Sequence, residues 1–168
     1  MKKLVIIYYS STGNTKKMAG FIAEGAGEEK GVSVDVVSTS DFDVKDITRY
    51  DGIIFGSPTY YGTMAAPVKD VFDKSVRFHG KLDGKVGGAF SSAANIGGGN
   101  ETTITDMINA MLIHGMIVQG TPNGDHYGPV SIGSPDDRVR RQCREYGKRI
   151  ASLVIKTAQE QEKGSTVE

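Results

Sequence analysis

The stretch Lys3–Gly20, KLVIIYYSSTGNTKKMAG, decides the fold. Its first half, Lys3 to Tyr9, is an unbroken apolar run of strand-forming residues. Such a run without polar alternation reads as a parallel strand buried on both faces. From Thr15 the pattern changes period: Met18, Ala19, Ile22, Ala23 and Ala26 share one face of a helix expected to end near Glu28. Between the two lie six small residues, Ser10, Ser11, Thr12, Gly13, Asn14 and Thr15, rich in hydroxyls and amide. A polar turn between a buried strand and a helix marks a βα unit, and its amides and hydroxyls suit an anion such as a terminal phosphate. The same turn would serve if it only capped the helix. It matches neither G-x-x-x-x-G-K-[ST] nor G-x-G-x-x-G, the usual triphosphate and dinucleotide loops.

The unit repeats along the chain. Further strands are expected at Val32–Ser38, Gly52–Ser57, Lys85–Ser92 and, briefly, Gly115–Gly120. A short helix or loop follows the second strand. A helix opens at Ala66-Pro67 with Val68, Val71, Phe72 and Val76 inside, and another is capped by Asn100 or Thr102 with Ile104, Met107, Ile108, Met111 and Leu112 on one stripe. The loop Thr121–Pro135 leads to a last helix from about Asp136, which buries Val139, Cys143, Tyr146, Ile150 and Leu153. Strands alternating with helices give a three-layer α/β domain with helices on both faces of a parallel sheet. We assign residues 1–158 to it and 159–168 to a polar tail.

At 168 residues the chain is long enough for one sizeable core. Lys+Arg and Asp+Glu stand at 20 each, a balance that favours neither nucleic acid nor an anionic membrane. The arginine-rich segment at the start of the last helix (Arg138, Arg140, Arg141, Arg144, Lys148, Arg149) reads as a solvated face opposite a core stripe. No apolar run reaches the ~18 residues of a membrane helix. A lone Cys143 cannot form an internal disulfide, which points to a cytoplasmic protein. The histidines lack metal-ligand spacing, so no metal is expected.

Glycines and hydroxyls gather after four of the strands: Ser10–Thr15, then Pro58, Thr59, Tyr60, Tyr61 and Gly62, then Ser91, Ser92, Ala93, Ala94, Asn95, Ile96 and Gly97, and last Gly120–Gly133. The last is expected to fold over the rim of a site formed by the other three. In an open α/β sheet the ligand crevice lies beyond the carboxyl ends of the strands, where the strand order reverses. The paired tyrosines offer a surface to a planar ligand, or pack on the protein. Glycines in the third loop allow close backbone approach, or a flexible connection.

Together these loops resemble those of the flavodoxin-like family, which binds FMN on a sheet of five parallel strands ordered 2-1-3-4-5. The segments GSPTYYGTMAAPVKDVFDK, GKVGGAFSSAANIGGGNETT and LIHGMIVQGTP are further similar to NAD(P)H:quinone oxidoreductases first described as tryptophan-repressor-binding proteins. The resemblance implies that Ser10–Thr15 hold the FMN phosphate, and that the loop Pro58–Gly62, chiefly Thr59, Tyr60 and Tyr61, flanks the ring and ribityl chain. It implies that Ser91–Gly97 meet the ring's pyrimidine edge and that His114 lies near the flavin as a catalytic group. Read from the residues alone, a histidine at that helix end is a partner of the helix dipole.

The implied reaction passes hydride from NADH or NADPH to FMN and two electrons on to a quinone, in a protein that often works as a homo-oligomer. The alternative is a flavodoxin that carries single electrons between redox protein partners. Such carriers are strongly acidic, whereas this chain is charge-balanced. It departs from the oxidoreductases at Thr12, where they carry an aromatic, at Tyr60, where they carry Arg, and in a shorter KSVRFHGKLDGK stretch without tryptophan.

Overall fold

The computed structural model describes the backbone of residues 1–164 and the side chains of 1–158. The chain runs β1 (Lys2–Tyr8), α1 (Asn14–Ala26), β2 (Val32–Ser38), a 3-10 turn (Val44–Arg49), β3 (Gly52–Tyr60), β4 (Thr63–Met64) and α2 (Ala66–Ser75). After a second 3-10 turn (Val76–Phe78) come β5 (Val86–Ala93), α3 (Asn100–Ile113), β6 (Ile117–Val118), β7 (Val130–Ile132) and α4 (Asp137–Gly164). The sheet order is β2-β1-β3-β5-β6, with all neighbours on that path parallel. This is the expected doubly wound order, and the reversal falls between β1 and β3.

Burial follows from that topology. Leu4, Val5, Ile6 and Ile7 of β1 and Ile53, Ile54 and Phe55 of β3 are inaccessible to solvent or nearly so, because helices cover both faces. One face packs on α1 and α4 through Met18, Ile22, Val139, Cys143 and Ile150. The other packs on α2, α3 and the first 3-10 turn through Val68, Phe72, Ile104, Met107 and Ile47. Burial pushes the Cys143 thiol up to about 12, so it serves as a small apolar side chain.

Four boundaries differ from the sequence reading. β3 continues past Ser57 through Pro58–Tyr60, because Thr59 and Tyr60 pair with Met64 and Thr63 of β4 in a tight antiparallel hairpin. Helix α3 begins at Asn100 after a left-handed Gly99 (φ 103), so neither Asn100 nor Thr102 is its cap. The expected fifth strand is split: β6 pairs with Val86 and Gly87 of β5, whereas β7, inside the expected loop, pairs with Ser91–Ala93. The sheet therefore has seven strands rather than five. In the gap, the Ala89 amide donates to the buried Tyr146 hydroxyl at 2.8 Å. Finally, α4 runs as backbone to Gly164, beyond the start of the expected tail, whose last part, 165–168, lies outside the described residues.

The arginine-rich helix is answered by α1. Arg144 reaches Glu24 at 2.9 Å, and Arg140 and Lys148 lie near Glu24 and Glu28. Much of that charged face is thus an interhelical ion-pair ladder. Among the described residues no helix is long and apolar enough to cross a membrane.

Candidate functional site

The three small-residue loops come together. The loops after β1, β3 and β5 enclose a crevice of about 440 Å³, lined by Thr12, Asn14 and Thr15, by Pro58, Thr59 and Tyr60, and by Ser92, Ala93 and Ala94. Its volume lies within the ~300–1,000 Å³ usual for small-molecule sites.

The first loop is shaped by Gly13, whose φ of 92 lies in the left-handed region that a side chain resists. Its amide donates to Ser10 Oγ at 3.1 Å, and its carbonyl accepts the first helical bond, from the Lys17 amide, at 3.0 Å. The helix that follows has no side-chain cap and no acid in its first turn. Its first amides therefore remain available, and the positive end of the helix dipole is uncompensated. Such a helix start suits an anion.

The floor is a set of linked hydroxyls. Thr15 Oγ1 and Ser92 Oγ lie 2.9 Å apart, tying the start of α1 to the end of β5. Thr59 Oγ1 lies 3.0 Å from Ser91 Oγ and accepts from Thr103 Oγ1 at 3.0 Å. These contacts fix the relative position of the three loops before any ligand enters. Thr15, Ser91 and Ser92 are buried, so their first role is to hold this floor.

The second loop turns at Tyr61 and Gly62, both with positive φ (51 and 78). Two successive positive φ values suit the twist of a two-residue hairpin. Tyr61 is the only non-glycine there among the described residues, and its side chain projects fully into solvent. A non-glycine held in this region costs roughly 1–2 kcal/mol. Gly62 also meets the third loop: a Cβ on Gly99 would lie 2.8 Å from the Gly62 Cα. Thr102 Oγ1 donates to the Gly62 carbonyl across the same contact. Tyr60 stands edge-on to Tyr9, ring centroids 6.3 Å apart, and forms one wall of the crevice.

Not every expected residue lines it. Ser10 and Gly13 face a second groove on the other side of the Tyr9–Tyr60 wall, and Ser11 borders both cavities. Asn95, Ile96 and Gly97 form an exposed rim above the opening, with Ile96 largely in solvent. Gly133, which follows β7, lines the crevice: the loop Gly120–Gly133, expected over the rim, does reach it, but through a strand that was not anticipated. The signal was present as a β-branched VSI between two glycine- and proline-bearing turns.

His114 is the clear correction. It follows α3, which starts beside the crevice and carries the chain roughly 20 Å away at 1.5 Å per residue. His114 thus lies at the opposite edge of the sheet, where the neighbouring Gly115 carbonyl accepts from the Gly84 amide just before β5. It does not reach the crevice of its own chain. There Ser75 Oγ donates to the Phe72 carbonyl at 2.7 Å, so it accepts from His114 Nε2–H at 2.8 Å. That places a proton on Nε2, while Nδ1 is buried without a partner among the described residues.

Burial, reinforced by nearby His79, holds the His114 pKa below its ordinary value. Below about pH 6.5 the unfolded chain protonates this imidazole before the folded one does. The unfolded state then binds more protons, so stability should fall as pH drops through that window and level off below the folded value. Urea denaturation at pH 7.5 and 5.5 should show this loss, and His114→Gln should reduce it.

The comparisons with known proteins agree with this geometry. The flavodoxin family model matches residues 6–93. A flavodoxin from Aquifex aeolicus is 36% identical over 162 residues, covering 92% of this chain and 88% of its own. An NAD(P)H dehydrogenase (quinone) from Sinorhizobium fredii is 41% identical over 198 aligned positions, covering 94% of this chain and all of its own. That alignment is longer than this chain's 168 residues, so this relative carries segments absent here. Among solved structures, a flavodoxin, WrbA-like protein from Agrobacterium tumefaciens superimposes with a TM-score of 0.79 at 25% identity, covering 94% of this chain and 99% of its own.

Proposed function

Because the chain belongs to the flavodoxin family, we propose that it binds FMN in the three-loop crevice and acts as an NAD(P)H:quinone oxidoreductase. The uncapped, acid-free start of α1 carries the binding half of this reading. A single phosphate there would accept from the first helical amides and from the side chains of Thr12 and Asn14, with Ser10 bracing the loop through Gly13. Pro58, Thr59 and Tyr60 on one side and Ser92–Ala94 on the other form a slot for a planar ring. Asn95–Gly97 at its rim and Tyr61 and Gly62 at the hairpin tip would border the ring's edge.

Bound FMN supplies the hydride and electron transfer. The chain's contribution is to seat the phosphate, fix the ring's orientation through the Thr15–Ser92 and Thr59–Ser91 links, and leave one side open to small molecules. Tyr60 is the one ionisable side chain among the described lining residues, so protons would come from its phenol or from solvent at the open rim. The full-length match to a quinone dehydrogenase supports the choice of donor and acceptor. The balanced charge, 20 against 20, differs from the strong net acidity expected of such a carrier.

The carrier reading retains one specific support: the flavodoxin relative aligns over 162 positions, close to this chain's own length. An anaerobic mixing experiment separates the two. NADH or NADPH should bleach the flavin absorbance of the FMN-loaded protein, and a benzoquinone should restore it. Bleaching by dithionite alone would leave the carrier.

A further inference from the structure

The second groove, about 990 Å³, is larger than the flavin crevice and opens over the carboxyl ends of β1 and β2. It shares Ser11 with the crevice and is divided from it by the edge-on Tyr9–Tyr60 pair. A bipartite ligand seated at the crevice mouth therefore has a second compartment beside it. A quinone is too small to need one; a nicotinamide dinucleotide is not.

We propose that this groove takes the adenosine diphosphate half of the nicotinamide dinucleotide donor, and that it favours NADH over NADPH. The proposal rests on the oxidoreductase reading above. Its lining holds a partner for each part of that half. Lys16, exposed on the first turn of α1 and without an ion pair among the described residues, suits a pyrophosphate. After β2, Ser38, Thr39 and Ser40 supply hydroxyls beside the Asp41 carboxylate. Ser38 donates to Asp41 Oδ2 at 2.6 Å and lies 2.7 Å from Ser40 Oγ, which holds this turn in shape. The other Asp41 oxygen has no such tie and can accept from a ribose hydroxyl. Tyr9, Ala66 and Pro67 give an aromatic and apolar wall for the purine.

The groove's other lysine, Lys74, is already held by Asp70 at 2.6 Å. The ribose end is therefore governed by Asp41. A carboxylate there accepts a 2′-hydroxyl and repels a 2′-phosphate, the same discrimination that an acid after the second strand gives other doubly wound sheets.

The test uses FMN-loaded protein, so that the phosphate seat of the crevice is filled, and ADP-ribose, which lacks the nicotinamide. Titration followed by amide chemical shifts should move Lys16 and Ser38–Asp41 and saturate. ADP-ribose should bind about tenfold more tightly than its 2′-phosphate; Lys16→Ala should weaken it about tenfold, and Asp41→Ala should remove the preference while the flavin absorbance stays unchanged. Absence of saturable binding, or both variants binding as the parent does, overturns the proposal. The two readings fail separately. If NADH bleaches the flavin with a KM unaffected by either variant, the oxidoreductase stands and the groove assignment falls. If ADP-ribose binds as described but neither nucleotide bleaches the flavin, the groove stands and the oxidoreductase falls.

Discussion

Asn14→Asp should move stability and cofactor binding in opposite directions. Asn14 is the first residue of α1 and lines the crevice, and no acid occupies the first turn. A carboxylate there compensates the helix dipole, so the protein without FMN should gain about 0.3–1 kcal/mol. The same charge would sit beside the proposed phosphate seat. Unit charges ~4 Å apart repel by about 4 kcal/mol at an effective dielectric of ~20, and a phosphate monoester carries more than one. FMN affinity should fall about 100-fold or more, whereas riboflavin, without the phosphate, should bind almost as before. Urea denaturation of the apoprotein and flavin-fluorescence titration measure the two effects. A loss shared equally by riboflavin would place the phosphate elsewhere.

The largest effect on folding is expected at Gly147→Ala. A Cβ on Gly147 would lie 2.0 Å from the Ile22 carbonyl oxygen, and one on Gly25 would lie 2.0 Å from that of Arg144. The two glycines let α1 and α4 meet backbone to backbone, and the atoms in the way cannot rotate aside. Alanine gains roughly 1 kcal/mol in helix propensity over glycine. Overpacking costs about 1–3 kcal/mol or more, and a fixed carbonyl puts this site at the upper end. The net loss should be about 2 kcal/mol or more, a large part of the ~5–15 kcal/mol typical of a domain. Gly20→Ala, exposed in α1 with no atom within 4 Å of the added carbon, should instead stabilise by about 0.5–1 kcal/mol. Urea midpoints of the pair, at unchanged slope, check the contrast.

Much of the fold was legible because it rests on local signals. The apolar runs of β1, β3 and β5 announce strands buried on both faces, and the change of period after Gly13 announces a helix. The Ala66-Pro67 start and the Met107–Met111 stripe were equally plain. What escaped depends on partners remote in sequence. The extension of β3 exists because β4 folds back on it, and the split outer strand exists because Tyr146, on the last helix, fills the gap between β6 and β7.

The site divides in the same way. Which loops converge was readable, since the strand order fixes it. Which side chains line the cavity was readable only in part: Thr12, Asn14, Thr15, Pro58–Tyr60 and Ser92–Ala94 do, whereas Ser10 and Gly13 face a second groove and Gly133 arrives with an unforeseen strand. His114 was expected from family likeness alone. The helix-end reading of the same residue was nearer to its place, since it follows α3 at the far edge of the sheet.

The most direct test of the flavin seat is a comparison of FMN with riboflavin on the unaltered apoprotein, followed by quenching of flavin fluorescence. The phosphate cradle at Ser10–Thr15 predicts FMN binding at least about 100-fold tighter than riboflavin. Equal affinities would contradict it, because a ligand held only by its ring would owe nothing to the start of α1.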